Sequence, residues 1–297
     1  MSLADWLLYR IAKNWPSPIT GLTQELNAEP CTEAYEMAYA QRQFNLKVMS
    51  GIKCDVVGLD VLEIGCGHGG ISCFMAAVGA RSVTGIDLNT NHLIYAERFA
   101  KVVSARFESN YQLPVKFIKM TADKMSFSDA SFDLVIADSA FEHFIDPEAV
   151  MKESFRVIRP GGGLFVPVFS SILSKYGLHL KHGLKLPWAN VVFSEKTIIR
   201  AMYRLARDNP FILDLYPGLS GKPSRVRDLR PYRDLNDITF AQFKTIARGS
   251  GFEIVRFKPQ PTLAGYLVTR VPALSRSIVM DILSTGALAY LKKAAVV

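Results

Sequence analysis

The sequence of 297 residues is poor in cysteine and has no long uncharged hydrophobic run. Its four cysteines, Cys31, Cys54, Cys66 and Cys73, form no CxxC pair and lack the spacing of metal ligands. We therefore expect reduced thiols in a cytoplasmic protein, with no zinc or other metal site. No uncharged stretch reaches the roughly 18 residues that a membrane span needs, so any membrane contact is expected to be peripheral.

The charge of +8 is distributed unevenly along the chain. Residues 1–180 carry 16 Lys and Arg against 19 Asp and Glu, whereas residues 181–297 carry 19 against 8. A basic half beside a mildly acidic one indicates that the C-terminal part contacts something anionic. The alternative is a solvated surface that only keeps the protein soluble.

From residue 60 onward, short apolar runs alternate with amphipathic stretches, a rhythm typical of βαβ units and a parallel sheet. We expect helices after the first, second and fourth of the predicted strands given below, and another helix over 239–250. Residues 171–237 lack strand periodicity and predict a mainly helical insertion. The predicted strands are Val61–Ile64, Ser82–Leu88, Val115–Met120, Phe132–Asp138, Leu164–Phe169, Phe252–Lys258 and, less clearly, Thr285–Lys293, with a turn at 160–163 and a helical excursion at about 262–283.

A glycine-rich turn follows the first predicted strand. Gly65 permits a tight turn, Gly67 lets the backbone approach a ligand, and Gly69 or Gly70 lets the next helix pack close to the sheet. Asp87 closes the second strand, 22 residues after Gly65. A carboxylate there can accept hydrogen bonds from both hydroxyls of an adenosine ribose, so this pattern predicts a nucleoside-containing ligand.

The same glycine spacing also satisfies the dinucleotide fingerprint, so a NAD-dependent oxidoreductase is an alternative. Two features argue against it. The turn lies some sixty residues into the chain, after a helical leader, and the acidic Glu63 stands just ahead of it.

Four ordered segments decide between these readings: VLEIGCGHGG at 61–70, VTGIDLN at 83–89, the segment 121–144, and 146–166. Together they resemble class I S-adenosylmethionine-dependent methyltransferases of the ubiquinone/menaquinone type, with a weaker likeness at 238–258. The resemblance implies a Rossmann-like, seven-stranded, mostly parallel sheet flanked by helices, with an N-terminal helical cap and a helical insertion after the fifth strand. It also implies S-adenosylmethionine as the cofactor.

By resemblance, the loop residues hold the methionine part of the cofactor. Gly65, Cys66 and Gly67 line it through backbone groups. Glu63 steadies the loop or reaches the amino group through water, and Asp87 takes the ribose.

The remaining cofactor positions follow the later strands. Leu88 packs on the adenine, Ala122 offers its backbone amide to the ring, and Asp123 accepts from the exocyclic amine. Asp138 and Ser139 border the methionine and the reacting methyl group. The family often has an acidic residue where this chain has Thr121, which is a departure at the adenine contact.

Glu142 and His143 match a frequent Glu-His pair at the start of the following helix. They are the catalytic candidates, although the pair could instead only cap a helix and hold the loop. A general base is needed only if the acceptor must lose a proton. His179 and His182 in the insertion are further candidates for that role.

The motif after the fourth strand narrows the acceptor. Enzymes that methylate the planar amines of nucleic-acid bases or glutamine carry Asn/Asp-Pro-Pro-Tyr/Phe there, whereas residues 138–141 read Asp-Ser-Ala-Phe. We therefore expect no nucleic-acid partner. The predicted function is methyl transfer to oxygen or carbon of a small or lipid-like acceptor, with an anionic acceptor among the options. The alternative to an active enzyme is a catalytically silent cofactor-binding subunit.

The predicted organisation is a helical cap at 1–50, a cofactor-binding core at 51–170, a substrate-covering insertion at 171–237, and a completion of the sheet at 238–297. In the insertion, Trp188, Phe193, Tyr203 and Tyr216 are candidates for an apolar acceptor pocket or for ordinary core. Five cations between Lys222 and Arg233 could hold an acidic acceptor group or face anionic lipid. The oligomeric state stays open.

Overall fold

The computed structural model describes residues 2–14, 56–105, 112–175, 177, 184, 186–209, 236–275 and 277–295. The helices are α1 (Leu3–Asn14), α2 (Gly70–Ala77), α3 (Thr90–Ser104), α4 (Pro147–Val157), α5 (Ala189–Val192), α6 (Glu195–Asp208), α7 (Phe240–Gly249), α8 (Leu263–Thr269), α9 (Pro272–Ser275) and α10 (Ile278–Ile282). The strands are β1 (Asp60–Ile64), β2 (Ser82–Asp87), β3 (Val115–Lys119), β4 (Phe132–Ile136), β5 (Ile158–Phe169), β6 (Glu253–Pro261) and β7 (Ser284–Lys292).

These seven strands form one sheet in the order β3-β2-β1-β4-β5-β7-β6. The strands β1 to β5 pair in parallel, and β7 runs antiparallel to β5. The parallel strands are short apolar runs because helices cover both faces of such a sheet. The fold confirms the predicted seven-stranded, mostly parallel sheet with flanking helices.

The order of the strands creates a reversal at β1. This strand pairs with β2 on one side, through Val61 and Val83, and with β4 on the other, through Val61 and Leu134. The carboxyl ends of all four strands from β3 to β4 therefore lie along one edge of the sheet. In open α/β sheets, ligands bind in the crevice outside such a reversal.

Local sequence signals set the ends of the helices. Asp146 caps α4, since its carboxylate accepts a hydrogen bond from the backbone N–H of Ala149 at 2.9 Å, and Pro147 occupies the first turn. Asn89 caps α3 through the N–H of Asn91 at 2.9 Å. Each such cap stabilises a helix by about 1 kcal/mol.

The glycines at 161–163 lie in β5 and not in the separate turn that the sequence predicts. The strand begins at Ile158 and continues through them, with an irregular register against β4. A Cβ on Gly162 would lie 2.5 Å from the carbonyl oxygen of Asp133, and one on Gly163 would lie 2.8 Å from Tyr290. These glycines therefore allow neighbouring groups to approach closely, which is one of the uses of glycine inside a strand.

The chain divides into two compact units. The first draws on residues 1–27, 170–240 and 259–286, and the second on 28–169, 241–258 and 287–297. The second contains β1 to β5 and a buried core built from β1, α2, β2 and α3. The boundaries predicted at residues 50, 170 and 237 remain a prediction.

In the first unit, α1 packs against α6 through Leu8, Ala12 and Met202, which are all buried. Phe193 and Tyr203 pack against the same cluster, as core residues would. The rest of the predicted N-terminal cap, from residue 15, lies outside the described residues, as does Tyr216. Among the described helices, none has the length and apolar character needed to span a membrane.

Candidate cofactor site

The loop after β1 is fixed by backbone hydrogen bonds to the neighbouring strand. The N–H groups of Gly65 and Cys66 both donate to the carbonyl of Ile86, at 2.8 and 3.0 Å, and the N–H of Gly69 donates to the carbonyl of Cys66 at 2.9 Å. Gly65, Gly67 and Gly69 all have positive φ values, a backbone conformation that residues other than glycine rarely adopt. The sequence Gly-Cys-Gly-His-Gly therefore forms a tight turn into α2.

The three glycines differ in what surrounds them. A Cβ at Gly65 would lie 2.8 Å from the Cβ of Ala140, and one at Gly69 would lie 2.7 Å from the ring of Phe117. A Cβ at Gly67 would meet no atom within 4 Å. Gly65 and Gly69 thus serve close packing, whereas Gly67 leaves open space beside its backbone where a ligand can approach.

Asp87 lies at the end of β2, directly beside this loop. One carboxylate oxygen accepts a hydrogen bond from the N–H of Gly67 at 2.9 Å, and the other accepts from the N–H of Asn89 at 2.8 Å. Each carboxylate oxygen has two acceptor positions, so both retain capacity for a further hydroxyl donor. Nδ1 of His92, in the first turn of α3, lies 3.7 Å from Asp87 Oδ1.

Glu63 lies in β1 with its side chain buried beneath the loop. Its carboxyl group accepts a short hydrogen bond from the hydroxyl of Ser72 in α2. Burial raises the pKa of Glu63 to about 8, and the negative charges of Asp138 and Asp87 act in the same direction. This carboxyl group connects the strand to the helix that follows the loop.

Cys66 is buried, and burial raises the pKa of its thiol well above the usual range. A thiol of this kind carries little thiolate at neutral pH, so the side chain fills space and is not a nucleophile. Cys73 is also a buried free thiol. Cys31 and Cys54 lie outside the described residues.

The segments after β2 and β3 meet beside Asp87. The N–H of Met120 donates to the carbonyl of Asp87 at 3.2 Å, which brings the start of the segment 121–123 next to the end of β2. Leu88 is 61% exposed, a large fraction for a leucine. Ala122 is half-buried and Asp123 is exposed. The exposed Leu88 provides an apolar surface on which a planar ring could pack.

The backbone turns sharply after β4, which ends at Ile136 and not at Asp138 as the sequence predicts. Ser139 has a φ of 50°, in the left-handed region, and its N–H donates to the carbonyl of Val168 at 3.1 Å. Asp138 is half-buried and Ser139 is exposed. This turn follows β4, the neighbour of β1 at the reversal of strand order.

Glu142 and His143 do not begin a long helix, which corrects the sequence-based prediction. They lie in a short 3₁₀ turn, Phe141–His143, and α4 starts only at Pro147. The turn is anchored by the buried ring of Phe141, which packs edge-to-face on Phe169 and Phe243. Glu142 is buried and His143 is exposed, so only the histidine is presented to solvent.

The topology therefore places the predicted cofactor residues at, or directly after, the carboxyl ends of four adjacent strands. The hydrogen bond between the N–H of Gly67 and the carboxylate of Asp87 joins two of these segments directly. The sequence did not identify Ser72, Asn89 or His92 as neighbours of these residues. His92 and Tyr95 are one helical turn apart and both contact the ring of His68, His92 edge-to-face and Tyr95 at a tilt, but this spacing alone does not point to the loop.

Most of the residues predicted in the insertion are not among those that the structure describes. His179, His182 and the cations between Lys222 and Arg233 lie outside the described residues. Trp188 is placed, and its indole N–H donates to the carbonyl of Ile282 at 2.6 Å. Within the described ranges, no group of three or more His, Cys, Asp or Glu side chains is arranged to hold a metal ion.

The region around the glycine loop is similar to known proteins. A family model described as a methyltransferase domain matches residues 62–166. The chain is 34% identical over 130 residues to the sterol 24-C-methyltransferase of Aspergillus fumigatus, covering 44% of this chain and 32% of that protein. It is 30% identical over 169 residues to the ubiquinone biosynthesis O-methyltransferase of Rhizobium rhizogenes, covering 57% and 63%. The chain thus spans less than two thirds of either relative.

A solved structure supports the same fold. The S-adenosylmethionine-dependent methyltransferase from Listeria monocytogenes, itself described as putative, superposes with a TM-score of 0.52 at 14% identity, over 86% of this chain and 99% of that one. At this identity the likeness concerns the fold alone. The matched sequence segment contains the glycine loop, Asp87 and the turn after β4. Residues 62–166 therefore match a methyltransferase domain, on a fold like that of S-adenosylmethionine-dependent methyltransferases.

Proposed function

We propose that this protein transfers a methyl group from S-adenosylmethionine to oxygen or carbon of a small or lipid-like acceptor. The observation that carries the proposal is the hydrogen bond between the Asp87 carboxylate and the N–H of Gly67, which sets a ribose-binding group beside an open glycine backbone. The matched methyltransferase domain contains both residues.

The residues fit the parts of this cofactor. Asp87 retains acceptor capacity for the ribose hydroxyls, and the exposed Leu88 offers a face to the adenine. Ala122 and Asp123 would contact the edge of the adenine ring. The open backbone at Gly67, with Gly65 and Cys66 beside it, would accommodate the methionine chain. Glu63 would hold the loop through Ser72.

The turn after β4 would border the reacting group. When bound, the cofactor supplies an activated methyl group on a sulfonium with a good leaving group. Asp138 and Ser139 would line the methionine portion, and the chain's main task is to orient the acceptor. Such alignment can contribute about 7–11 kcal/mol to lowering the barrier. His143, exposed on the 3₁₀ turn, is the candidate to take a proton from a hydroxyl acceptor.

The acceptor class is supported by the relatives and by charge. The two relatives are named for a sterol C-methylation and for an O-methylation in ubiquinone biosynthesis. Residues 181–297 carry 19 basic against 8 acidic residues, which favours an acceptor with an anionic group. A nucleic-acid base is disfavoured because the Pro-Pro pair is missing at 139–140.

We also propose a cytoplasmic location with contact to a membrane surface, and the charge distribution supports the membrane contact. A lipid-like acceptor resides at such a surface, and the basic half of the chain would be attracted to anionic lipid. The alternative of a silent cofactor-binding subunit is favoured by no specific contact in the described residues.

Methyl incorporation tests the proposal directly. The full chain is incubated with S-adenosylmethionine carrying a labelled methyl group and with lipid and small-metabolite extracts, and labelled products are separated. We expect incorporation that Asp87→Ala strongly reduces, at a cofactor concentration below saturation, and that the surface control Glu148→Ala retains. Tight cofactor binding without incorporation into any fraction would instead support the silent subunit. Binding of NADH in place of S-adenosylmethionine would contradict both.

A further inference from the structure

Two helices of the first compact unit share a sequence pattern. Residues 3–10 read LADWLLYR and residues 263–270 read LAGYLVTR, so both follow Leu-Ala-x-aromatic-Leu-x-x-Arg. The first is the start of α1 and the second is α8 with the residue that follows it. Besides the alanine at the second position, the shared positions are the first, fourth, fifth and eighth, and in a helix these four lie on one face.

The shared apolar side chains are exposed in both helices. In α1, Leu3 is 78%, Trp6 41% and Leu7 43% exposed. In α8, the corresponding side chains are more exposed still: Leu263 89%, Tyr266 62% and Leu267 70%. Single exposed leucines are common on protein surfaces, but two stripes of two leucines and an aromatic residue need an explanation.

An arginine stands at the end of each stripe. The guanidinium of Arg10 lies over the ring of Trp6, 5.4 Å from its centre, and is exposed. Arg270 is exposed at the equivalent position, seven residues after Leu263. Aromatic rings and arginine side chains both suit a boundary with an apolar and a wet side, since each combines an apolar body with a polar end.

The exposed charge on the segments that carry the stripes is mainly positive, although Asp208 pairs with Lys13 at the end of α1. Residues 254–280 include four Lys and Arg and no Asp or Glu. In α1 the sole acidic residue is Asp5, which is 2% exposed and paired with Arg200 at 3.0 Å. Neither stripe therefore presents a carboxylate of its own helix that would repel an anionic surface.

We infer that these two stripes, Leu3-Trp6-Leu7-Arg10 and Leu263-Tyr266-Leu267-Arg270, dock the protein on the surface of an anionic phospholipid bilayer. The leucines and aromatic rings enter the boundary between headgroups and acyl chains, and the arginines contact lipid phosphates. The inference locates the membrane contact proposed above on named residues, and it rests on their exposure and charge, independently of methyl transfer.

Vesicle flotation with the full chain tests this inference. We expect binding to vesicles in which phosphatidylglycerol makes up about a third of the lipid, weaker binding to pure phosphatidylcholine, and weakening by added salt. Leu7→Glu and Leu267→Glu should each reduce the fraction bound about tenfold, because each replaces an inserted leucine with a charge. Ile145→Glu, at a 99% exposed isoleucine in the second unit, is the matched control and should bind like the unaltered chain.

Parallel measurements separate the outcomes. Melting temperature and S-adenosylmethionine affinity are recorded for every variant, and both should stay unchanged at these exposed positions. Absence of wild-type binding to either vesicle, or binding by both variants equal to that of the wild type, would overturn the inference. Loss of a concentration-dependent dimer in the variants, without any vesicle binding by the wild type, would assign the stripes to self-association instead. Vesicle binding without cofactor affinity would preserve the docking surface and remove the proposed function.

Discussion

The carboxylate of Asp87 accepts a hydrogen bond from the backbone N–H of Gly67 at 2.9 Å, 20 residues away in the sequence. The bond joins the end of β2 to the loop after β1. Because Asn89 donates to the other carboxylate oxygen, the side chain is held in one orientation before any ligand arrives. A preorganised binding group loses little conformational freedom on binding.

Replacing Asp87 therefore tests the cofactor site most directly. We expect Asp87→Ala to weaken S-adenosylmethionine binding at least about tenfold, which corresponds to about 1.4 kcal/mol for hydrogen bonds to a charged group. Titration calorimetry measures the affinity, and Glu148→Ala, an exposed carboxylate on α4, serves as the control. An unchanged affinity in Asp87→Ala would show that the ribose is held elsewhere.

Substitutions of two loop glycines should affect cofactor affinity and folding stability differently. Gly67→Ala adds a methyl group in open space, so the protein should fold with only about 1–2 kcal/mol of backbone strain from the positive φ. Its cofactor affinity should fall sharply, because the methyl group occupies the approach to the loop. Gly65→Ala should instead lower the melting temperature more strongly, because its Cβ would lie 2.8 Å from that of Ala140.

Thermal unfolding and calorimetry on both glycine variants check this contrast. If Gly67→Ala bound S-adenosylmethionine as well as the wild type, the open space beside Gly67 would not be the methionine site. Gly58→Ala is a suitable control, since Gly58 also has a positive φ with no atom within 4 Å of its Cβ position but lies before β1.

Much of the sheet was predictable because local signals agree with the fold. The runs Val61–Ile64 and Ser82–Leu88 are short, apolar and followed by turn residues, and they form β1 and β2 within one residue at either end. Asp146 and Pro147 are likewise typical residues for a helix start, and α4 begins there. Gly65 was recognisable because the turn requires its conformation.

Other features depend on contacts that the sequence does not display. The glycines before Leu164 suggested a turn, yet Gly162 and Gly163 lie in β5 because groups of β4 and β7 approach them. The sequence does not indicate that Ser72 bonds to Glu63, because the hydroxyl of a serine in a helix is commonly solvated. The 3₁₀ turn at His143 follows from the burial of Phe141, a tertiary effect.

The buried Glu63 should make stability depend on pH. Its pKa is about 8 in the folded protein against 4.5 for the ordinary side chain, so the folded state keeps a proton that the unfolded state loses. The free energy of unfolding should therefore fall as the pH rises from about 4.5 to about 8, by on the order of a few kcal/mol. Glu63→Gln, which cannot ionise, should lack this decline.

Urea unfolding of both proteins across that pH range measures the effect. We expect the variant to be the more stable protein at pH 8, and its advantage to shrink on acidification. Parallel pH curves for the two proteins would mean that Glu63 is already ionised when folded, and would contradict the assignment of a protonated carboxyl group beneath the loop.

The opposite end of β1 carries a network of ion pairs. This network should affect the stability of the fold without affecting cofactor affinity. Asp60 binds Arg81, and Arg159 contacts Asp60 at 2.9 Å and Asp133 at 2.8 Å. The hydrogen bonds from Arg81 hold the pKa of Asp60 well below its usual range, despite partial burial. A lowered pKa stabilises the fold above the ordinary value of 3.8, and this stabilisation is lost as the pH falls below it.

Asp60→Asn should therefore lower the free energy of unfolding at pH 7 by about 1–2 kcal/mol, an amount limited by the exposure of Arg81. The difference from the wild type should narrow toward acid, where the carboxylate becomes protonated. Glu148→Gln is the control, because its ion pair with Lys152 is exposed on both sides and should contribute little to stability. Cofactor affinity should remain unchanged in both variants, since Asp60 lies a full strand away from Gly65. A loss of affinity in Asp60→Asn would show that the two ends of β1 are coupled.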